Sequence, residues 1–210
     1  MVILLSGGID STVLLYQMAK GGHIDHALSF DYGARHNRME IKYAKKHAKR
    51  LNIPHGIIKL DLSAVLKSAL LGDIEVPQDI DYADPMQALT IVPFRNPIML
   101  SVAAGYALSV GSDGVAIATH KTDQQIYPDC RPEFNEAMAN VIEIVSEGKL
   151  RLYAPYAEMS KVSIVRLGME IGVDIRNTYS CYVGEEQPCG KCGTCTERDW
   201  AINACLTEGG

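Results

Sequence analysis

A seven-residue run, Ser6-Gly7-Gly8-Ile9-Asp10-Ser11-Thr12, follows the apolar stretch Val2-Ile3-Leu4-Leu5 without a break. It sets how the chain begins. The apolar stretch reads as a buried strand, and a helical pattern runs from Ser11 to Ala19. Two glycines between them let the backbone turn tightly and aim several N–H groups at one point. The N-terminus of the following helix adds partial positive charge, and Ser6, Ser11 and Thr12 add hydroxyl donors. Together these make a cradle for a phosphate or pyrophosphate. No Lys follows the glycines, so this is not a Walker A loop, and the dinucleotide spacing G-x-G-x-x-G is also missing. A Ser-capped turn with no ligand is the plainer alternative; the order strand, glycines, helix favours the cradle.

The same alternation continues downstream. Ala27–Phe30 reads as a second strand, Gly56–Leu60 as a third and Val115–Ala118 as a fourth. Ile41, Ala44, Ala48 and Leu51 share one helical face, and Pro97–Val110 forms an apolar helix. Strands separated by helices imply right-handed crossovers and an α/β fold with a doubly wound, mainly parallel sheet. Ligands of such sheets bind at the carboxyl ends of the strands. Residues 72–96 hold Pro77, Pro85 and Pro93 and read as a long loop or lid over that end. Phe134, Ala137, Met138, Val141 and Val145 mark another amphipathic helix. A last one runs from Ser160 as N-cap to Ile171, with Gly172 at its end.

Composition narrows the class. Hydrophobic residues make up 47% of the 210 positions, enough for a sizeable core, and the net charge is −5. That balance argues against a duplex-coating nucleic-acid binder. The apolar runs are broken before 18 residues, so no membrane span is expected. The N-terminal run lacks a cationic leader, which leads us to expect a cytoplasmic protein.

Four of the six cysteines, Cys181, Cys189, Cys192 and Cys195, crowd one stretch, with Gly190 and Gly193 following two of them. Four thiolates around one ion are the closed, structural zinc arrangement. An iron–sulfur cluster and a redox Cys-x-x-Cys pair use similar spacings. Cys130 and Cys205 stand alone and read as ordinary thiols. Residues 1–175 are accordingly expected to form the α/β domain and 176–210 a small metal-binding lobe packed on it.

Ser-Gly-Gly-x-Asp-Ser after the first strand resembles the pyrophosphatase-loop ATP enzymes of the adenine-nucleotide alpha-hydrolase-like group. Combined with the cysteines, the chain resembles, essentially end to end, the 7-cyano-7-deazaguanine synthase family. Asp31-Tyr32-Gly33-Ala34-Arg35-His36, Val92-Pro93-Phe94-Arg95-Asn96, Tyr127-Pro128-Asp129-Cys130-Arg131-Pro132-Glu133-Phe134 and Thr178-Tyr179-Ser180-Cys181-Tyr182 carry the likeness, with Cys195-x2-Arg198 closing it. The chain departs from the family pattern at Tyr179, where a Trp is usual. It also carries His120 for an Asn, and Gln125-Ile126 for Ser-Gly, in a stretch expected to wall the substrate pocket.

The resemblance implies a ligase of queuosine biosynthesis. It would turn 7-carboxy-7-deazaguanine and ammonia into the nitrile through an adenylated carboxylate and an amide, consuming ATP with Mg²⁺. Leu5, Ser6, Gly7, Gly8, Ile9, Asp10, Ser11, Thr12, Val13, Leu14 and Leu15 would form the ATP-binding segment. Asp10 would place Mg²⁺ or cap the helix. Arg95 and Lys161 are candidates to meet phosphate or carboxylate as negative charge develops, so Asp10, Arg95 and Lys161 form the expected catalytic set. Tyr127, Asp129 and Arg131 are candidate substrate contacts, the carboxylate of Asp129 suiting purine N–H groups. His36 and His120 titrate near neutrality when unperturbed and could move protons, though a structural role is the commoner one. One structural zinc on Cys181, Cys189, Cys192 and Cys195, and a homodimer, complete what the resemblance implies. No glutaminase nucleophile arrangement is visible, so free ammonia is the expected nitrogen source.

Other readings predict different things. A related ligase would stop at the 7-amido product or take another carboxylate. A tRNA-thiolating ATP enzyme would need a basic surface and an RNA-binding appendage. A zinc-ribbon interaction module on an ATP-sensing domain would bind without turnover.

Overall fold

Five short strands, β1 (Val2–Leu4), β2 (His26–Asp31), β3 (His55–Lys59), β4 (Gly114–Ala116) and β5 (Arg151–Tyr153), pair in parallel in the order β3-β2-β1-β4-β5 in the computed structural model, which describes residues 1–207. The register sets Val2 opposite both His26 and Val115, and Ala116 opposite Tyr153. The chain runs β1 to β2 to β3 on one side, then crosses back to β4 beside β1. The switch point of the sheet therefore lies between β1 and β4, where the glycine loop leaves the end of β1.

Alternate residues of the strands feed two cores. Val2, Leu4, Leu28, Phe30 and Val115 face α3 (Arg95–Val110) and α4 (Pro132–Val145), meeting Leu100, Ala103, Met138 and Ile142. Ile3, Leu5, Ala27 and Ala116 face the other way, towards α1 (Ile9–Lys20), α2 (Asn37–Arg50), α5 (Lys161–Glu170) and α6 (Gly193–Thr207). Val13, Leu14, Leu15, Ala44, Ala48, Ile164 and Ala201 fill that layer with no exposure. Each buried Val, Leu or Ile removes apolar surface worth about 1.5–3 kcal/mol from water, which is why the helices keep their places.

The doubly wound architecture and the helix order agree with the reading of the sequence. β4 is shorter than expected, ending at Ala116, and α1 begins two residues earlier than Ser11. Ser160 does cap α5: its side chain accepts a hydrogen bond from Ser163 N at 3.2 Å. Two elements were not foreseen. β5 is a three-residue edge strand with exposed ends, too short to show periodicity. The cysteine-rich tail is not only a knuckle, because α6 continues from it for 15 residues. Pro85–Thr90 forms a 3₁₀ turn within the long loop. Residues 85–110 include an 18-residue window apolar enough, by length and composition, to cross a membrane. That stretch is interrupted at Phe94, which adopts φ 60° between the 3₁₀ turn and α3, and α3 packs against the sheet.

Candidate active site

The end of β1, the start of α1, the segment after β4, the start of α3, the start of α5 and the start of α6 converge on a cleft of about 210 Å³. The glycine loop forms its floor. Gly7 has φ 87°, and a Cβ there would lie 2.5 Å from Glu40 O and 2.7 Å from Ala44 N, so α2 packs against bare backbone. Gly8 stands at the N-cap of α1 with no side-chain cap, which leaves the first amides of the helix for a ligand. Ser6 and Ser11 hydroxyls sit 3.0 Å apart, and Ser11 Oγ accepts from Ser6 N at 3.2 Å. Of the expected ATP-binding segment, Leu5, Ser6, Gly8, Asp10 and Ser11 line the cleft. Ile9, Thr12, Val13, Leu14 and Leu15 are buried and do not line it; they anchor the loop from behind.

Asp10 and Lys161, far apart in sequence, meet here. Lys161 Nζ is 2.7 Å from Asp10 Oδ2 and 3.5 Å from Glu197 Oε2 on α6. His120 Nε2 lies 3.3 Å from Asp123 Oδ2 and 3.8 Å from Asp10 Oδ2. Tyr82 donates its hydroxyl to the other oxygen of Asp123. Burial alone would raise the Asp10 carboxyl, but Lys161 and His120 outweigh it and hold the group below the usual carboxylate range. Burial likewise opposes the Lys161 charge, yet Asp10 and Glu197 keep the ammonium charged well past neutrality. Asp10 Oδ1, Glu197 Oε1 and Thr12 Oγ1 are buried without hydrogen-bond partners.

Arg95, the third expected residue, reaches the cleft from the first turn of α3 and has no ion-pair partner among the described residues. Tyr32, Tyr182, Asp129 and Tyr127 sustain its charge against burial. Glu40, which the sequence reading did not single out, lines the same wall with its side chain 18% exposed. Burial raises its carboxyl to about 7, with Arg95 opposing. His36 stays neutral: burial and Arg95 lower it to about 3. Its ring packs on Tyr182 and its Nε2 reaches Tyr32 Oη at 3.3 Å, a structural placement.

The three expected substrate contacts do not line the cleft. Tyr127 Oη is 2.8 Å from Thr90 Oγ1, tying the long loop down. Asp129 accepts from Asn96 N at 3.0 Å, capping the start of α3 beside Arg95. Arg131 is exposed and donates through Nε to Gln124 O. Their side chains are engaged with Thr90, Asn96 and Gln124.

The four thiol sulfurs of Cys181, Cys189, Cys192 and Cys195 all lie within 4.8 Å of one another. Cys189 N donates to Cys181 Sγ at 3.3 Å, and Lys191 N and Cys192 N donate to Cys189 Sγ. Such amide bonds stabilise thiolates, and the spacing suits four ligands on one ion: a zinc–sulfur bond of about 2.3 Å places tetrahedral sulfurs roughly 3.8 Å apart. The knuckle is locked to both sides of the molecule. Tyr179 N donates to Gly7 O at 2.9 Å, Gln78 bridges to Cys192, and Arg198 binds Thr178 Oγ1 and Ile175 O.

Glu197 and Tyr82 were missed together with Glu40. Tyr82 lies in a loop without periodicity, and nothing in the sequence marks it. Glu197 carried a signal that depended on recognising α6: Gly193, Glu197 and Ala201 are buried at four-residue spacing, so an acid stands in an otherwise small-residue inward stripe.

Comparisons with known proteins identify the family and the fold. A family model described as "Queuosine biosynthesis protein QueC" matches residues 1–206. A 7-cyano-7-deazaguanine synthase from Archaeoglobus fulgidus is 45% identical over 208 residues, covering 97% of this chain and 85% of that protein. One from Caldicellulosiruptor bescii is 44% identical over 199 residues, with 94% and 89% covered. Among solved structures, the NMN synthetase of Francisella tularensis superposes with a TM-score of 0.52 at 16% identity, covering 97% of this chain and 83% of that one; the likeness is one of fold.

Proposed function

The chain belongs to the QueC family of queuosine biosynthesis proteins, and from that premise we propose that it makes 7-cyano-7-deazaguanine from 7-carboxy-7-deazaguanine, ammonia and ATP. The observation that carries the reading is one cleft at the sheet's switch point that holds an uncapped glycine-loop helix start, the buried Lys161 and the ion-unpaired Arg95. These are the groups an adenylation needs: donors for a departing pyrophosphate and a cation for a carboxylate.

In this reading the substrate carboxylate oxygen attacks the α-phosphorus of ATP, and the bond to the β-phosphate bridge breaks. Pyrophosphate leaves into the cradle formed by the α1 amides, Ser6 Oγ and Ser11 Oγ. Ammonia then displaces AMP to give the amide. A second ATP activates the amide oxygen in the same way, and loss of AMP with a proton gives the nitrile. Arg95 holds the carboxylate and later the amide oxygen towards the phosphorus, because a guanidinium with no ion partner of its own is free to pair with an incoming oxyanion. Lys161 fixes Asp10 and supplies positive charge at the phosphates. Asp10 Oδ1, buried and unpartnered, suits a Mg²⁺ accompanying ATP, whose chemistry is to neutralise charge on the phosphates. We assign Tyr127, Asp129 and Arg131 to holding the wall that presents Arg95.

Zinc is the metal we propose for the four cysteines. The close sulfur spacing supports a single ion, since a multi-iron cluster spreads its thiolates farther apart, and four thiolates leave no open position for chemistry. It would fasten the loop of residues 72–96 and the start of α6 to the glycine loop.

The test is mass spectrometry of protein incubated with ATP, Mg²⁺, ammonium and the 7-carboxy acid. Nitrile with AMP is expected. Amide alone would make the protein a ligase that stops half way, and unreacted acid would remove the substrate assignment.

A further inference from the structure

At the edge of the cleft, and apart from the four thiolates, His120, Asp123 and Glu197 each bring one ligand atom within 4.8 Å of the others. The group joins one imidazole to two carboxylates. His120 and Glu197 are almost wholly buried, at 2% and 4% side-chain exposure, while Asp123 at 23% keeps the cluster open to the cleft. Two further observations point to a cation. Glu197 gives Oε2 to Lys161, but its Oε1 is buried and has no hydrogen-bond partner, a state that proteins rarely leave uncompensated. Asp10 and Glu197 also share the ammonium of Lys161, while Asp10 and Asp123 both lie against His120. Three carboxyl groups and one imidazole thus crowd around one lysine at the edge of the cleft.

We propose that His120, Asp123 and Glu197 bind a divalent transition-metal cation directly, before and without any nucleotide. The donor set decides the class. Mg²⁺ takes oxygen ligands and keeps much of its water, whereas two carboxylates with one imidazole suit a divalent transition ion such as Mn²⁺ over Mg²⁺. The Lys161 ammonium does not block the site, because it lies on the Oε2 side of Glu197 and on Asp10, leaving Oε1 available. The inference is independent of the ATP reading: it concerns protein ligands alone, and its experiment contains no nucleotide or substrate.

Mn²⁺ is the probe, because it stands lowest in the affinity series and disfavours soft thiolate sites, so the knuckle keeps its own metal. Titration of the purified protein with Mn²⁺, followed by loss of the free-ion electron paramagnetic resonance signal, should show one ion bound per chain. Asp123→Asn should weaken that binding at least tenfold. His120→Asn should lower the preference for Mn²⁺ over Mg²⁺ at least tenfold, with thermal unfolding showing that both variants are folded. Glu143→Gln, on the far face of α4, serves as the unaffected control. Mn²⁺ that stays free at millimolar concentration, or binding that survives either variant unchanged, overturns the proposal.

Discussion

Lys161 Nζ lies 2.7 Å from Asp10 Oδ2, which fastens the start of α5 to the start of α1 across the floor of the cleft. Both groups are charged, and Lys161 is nearly closed off from water while Asp10 is only partly open to the cleft, so each depends on the other. Removing one leaves a buried charge uncompensated, which is far costlier than never having had the pair.

Lys161→Met should therefore destabilise the fold by about 3 kcal/mol and abolish turnover. Denaturant unfolding reads the first and product formation the second. A variant as stable as the parent would show that Asp10 and Glu197 do not need the ammonium.

Glu40 gives the protein a pH signature. Its carboxyl is raised from the ordinary 4.5 to about 7, by burial first. The unfolded chain gives up this proton at lower pH than the native one does. The stabilisation from neutral Glu40 is thus complete below the unfolded value and is lost as pH climbs from 4.5 through about 7. The span corresponds to about 3 kcal/mol. Glu40→Gln should abolish this dependence, so its stability relative to the parent should rise by that amount between pH 4 and about 8. Equal pH profiles for parent and variant would rule the assignment out.

Gly7→Ala should cost about 3 kcal/mol, since it combines positive φ with a Cβ driven into α2 backbone. Gly22→Ala, also at positive φ (71°) but with nothing within 4 Å, should cost only about 1 kcal/mol. Thermal unfolding of the two variants separates the contact from the conformational strain. Equal losses would mean that α2 yields readily.

Arg95→Lys keeps charge but loses the planar fork. Turnover should fall about 100-fold, with ATP binding unchanged when measured separately by calorimetry. A parallel loss of ATP affinity would move Arg95 from the carboxylate to the phosphates.

Cys192→Ser should leave the knuckle unable to hold the proposed zinc, read by elemental analysis as loss of the one zinc per chain expected in the parent, and should make the segment between Cys181 and Cys192 sensitive to protease. Cys192 is wholly buried and bridges to Gln78, so the long loop should loosen with it.

Much of this was legible in the sequence because it was local. The glycine loop declares itself through adjacent residues, and the cysteines through their spacing. β1 to β4 show as short apolar runs, and the five helices α1 to α5 through their apolar faces. What stayed hidden was non-local. Asp129 and Tyr127 stand in a distinctive run, yet whether a side chain faces the cleft or the wall depends on how the 3₁₀ turn at Pro128–Cys130 orients them. Glu40 is an ordinary polar position of an amphipathic helix until α3 brings Arg95 near it. Glu197 acquires meaning only when α6 docks against α5.

The cleft draws its floor from residues 5–11 and one of its charged walls from Glu197 on the last helix. Synthesis delivers these in opposite order of need. The loop leaves the ribosome before them, and Asp10 must wait for Lys161, then Lys161 for Glu197, before the charges in the floor are balanced. Tyr179, whose amide closes on Gly7 O, also arrives late. A chain made only as far as β4 lacks Lys161, Tyr179 and Glu197, so the site cannot be assembled until α6 has been made.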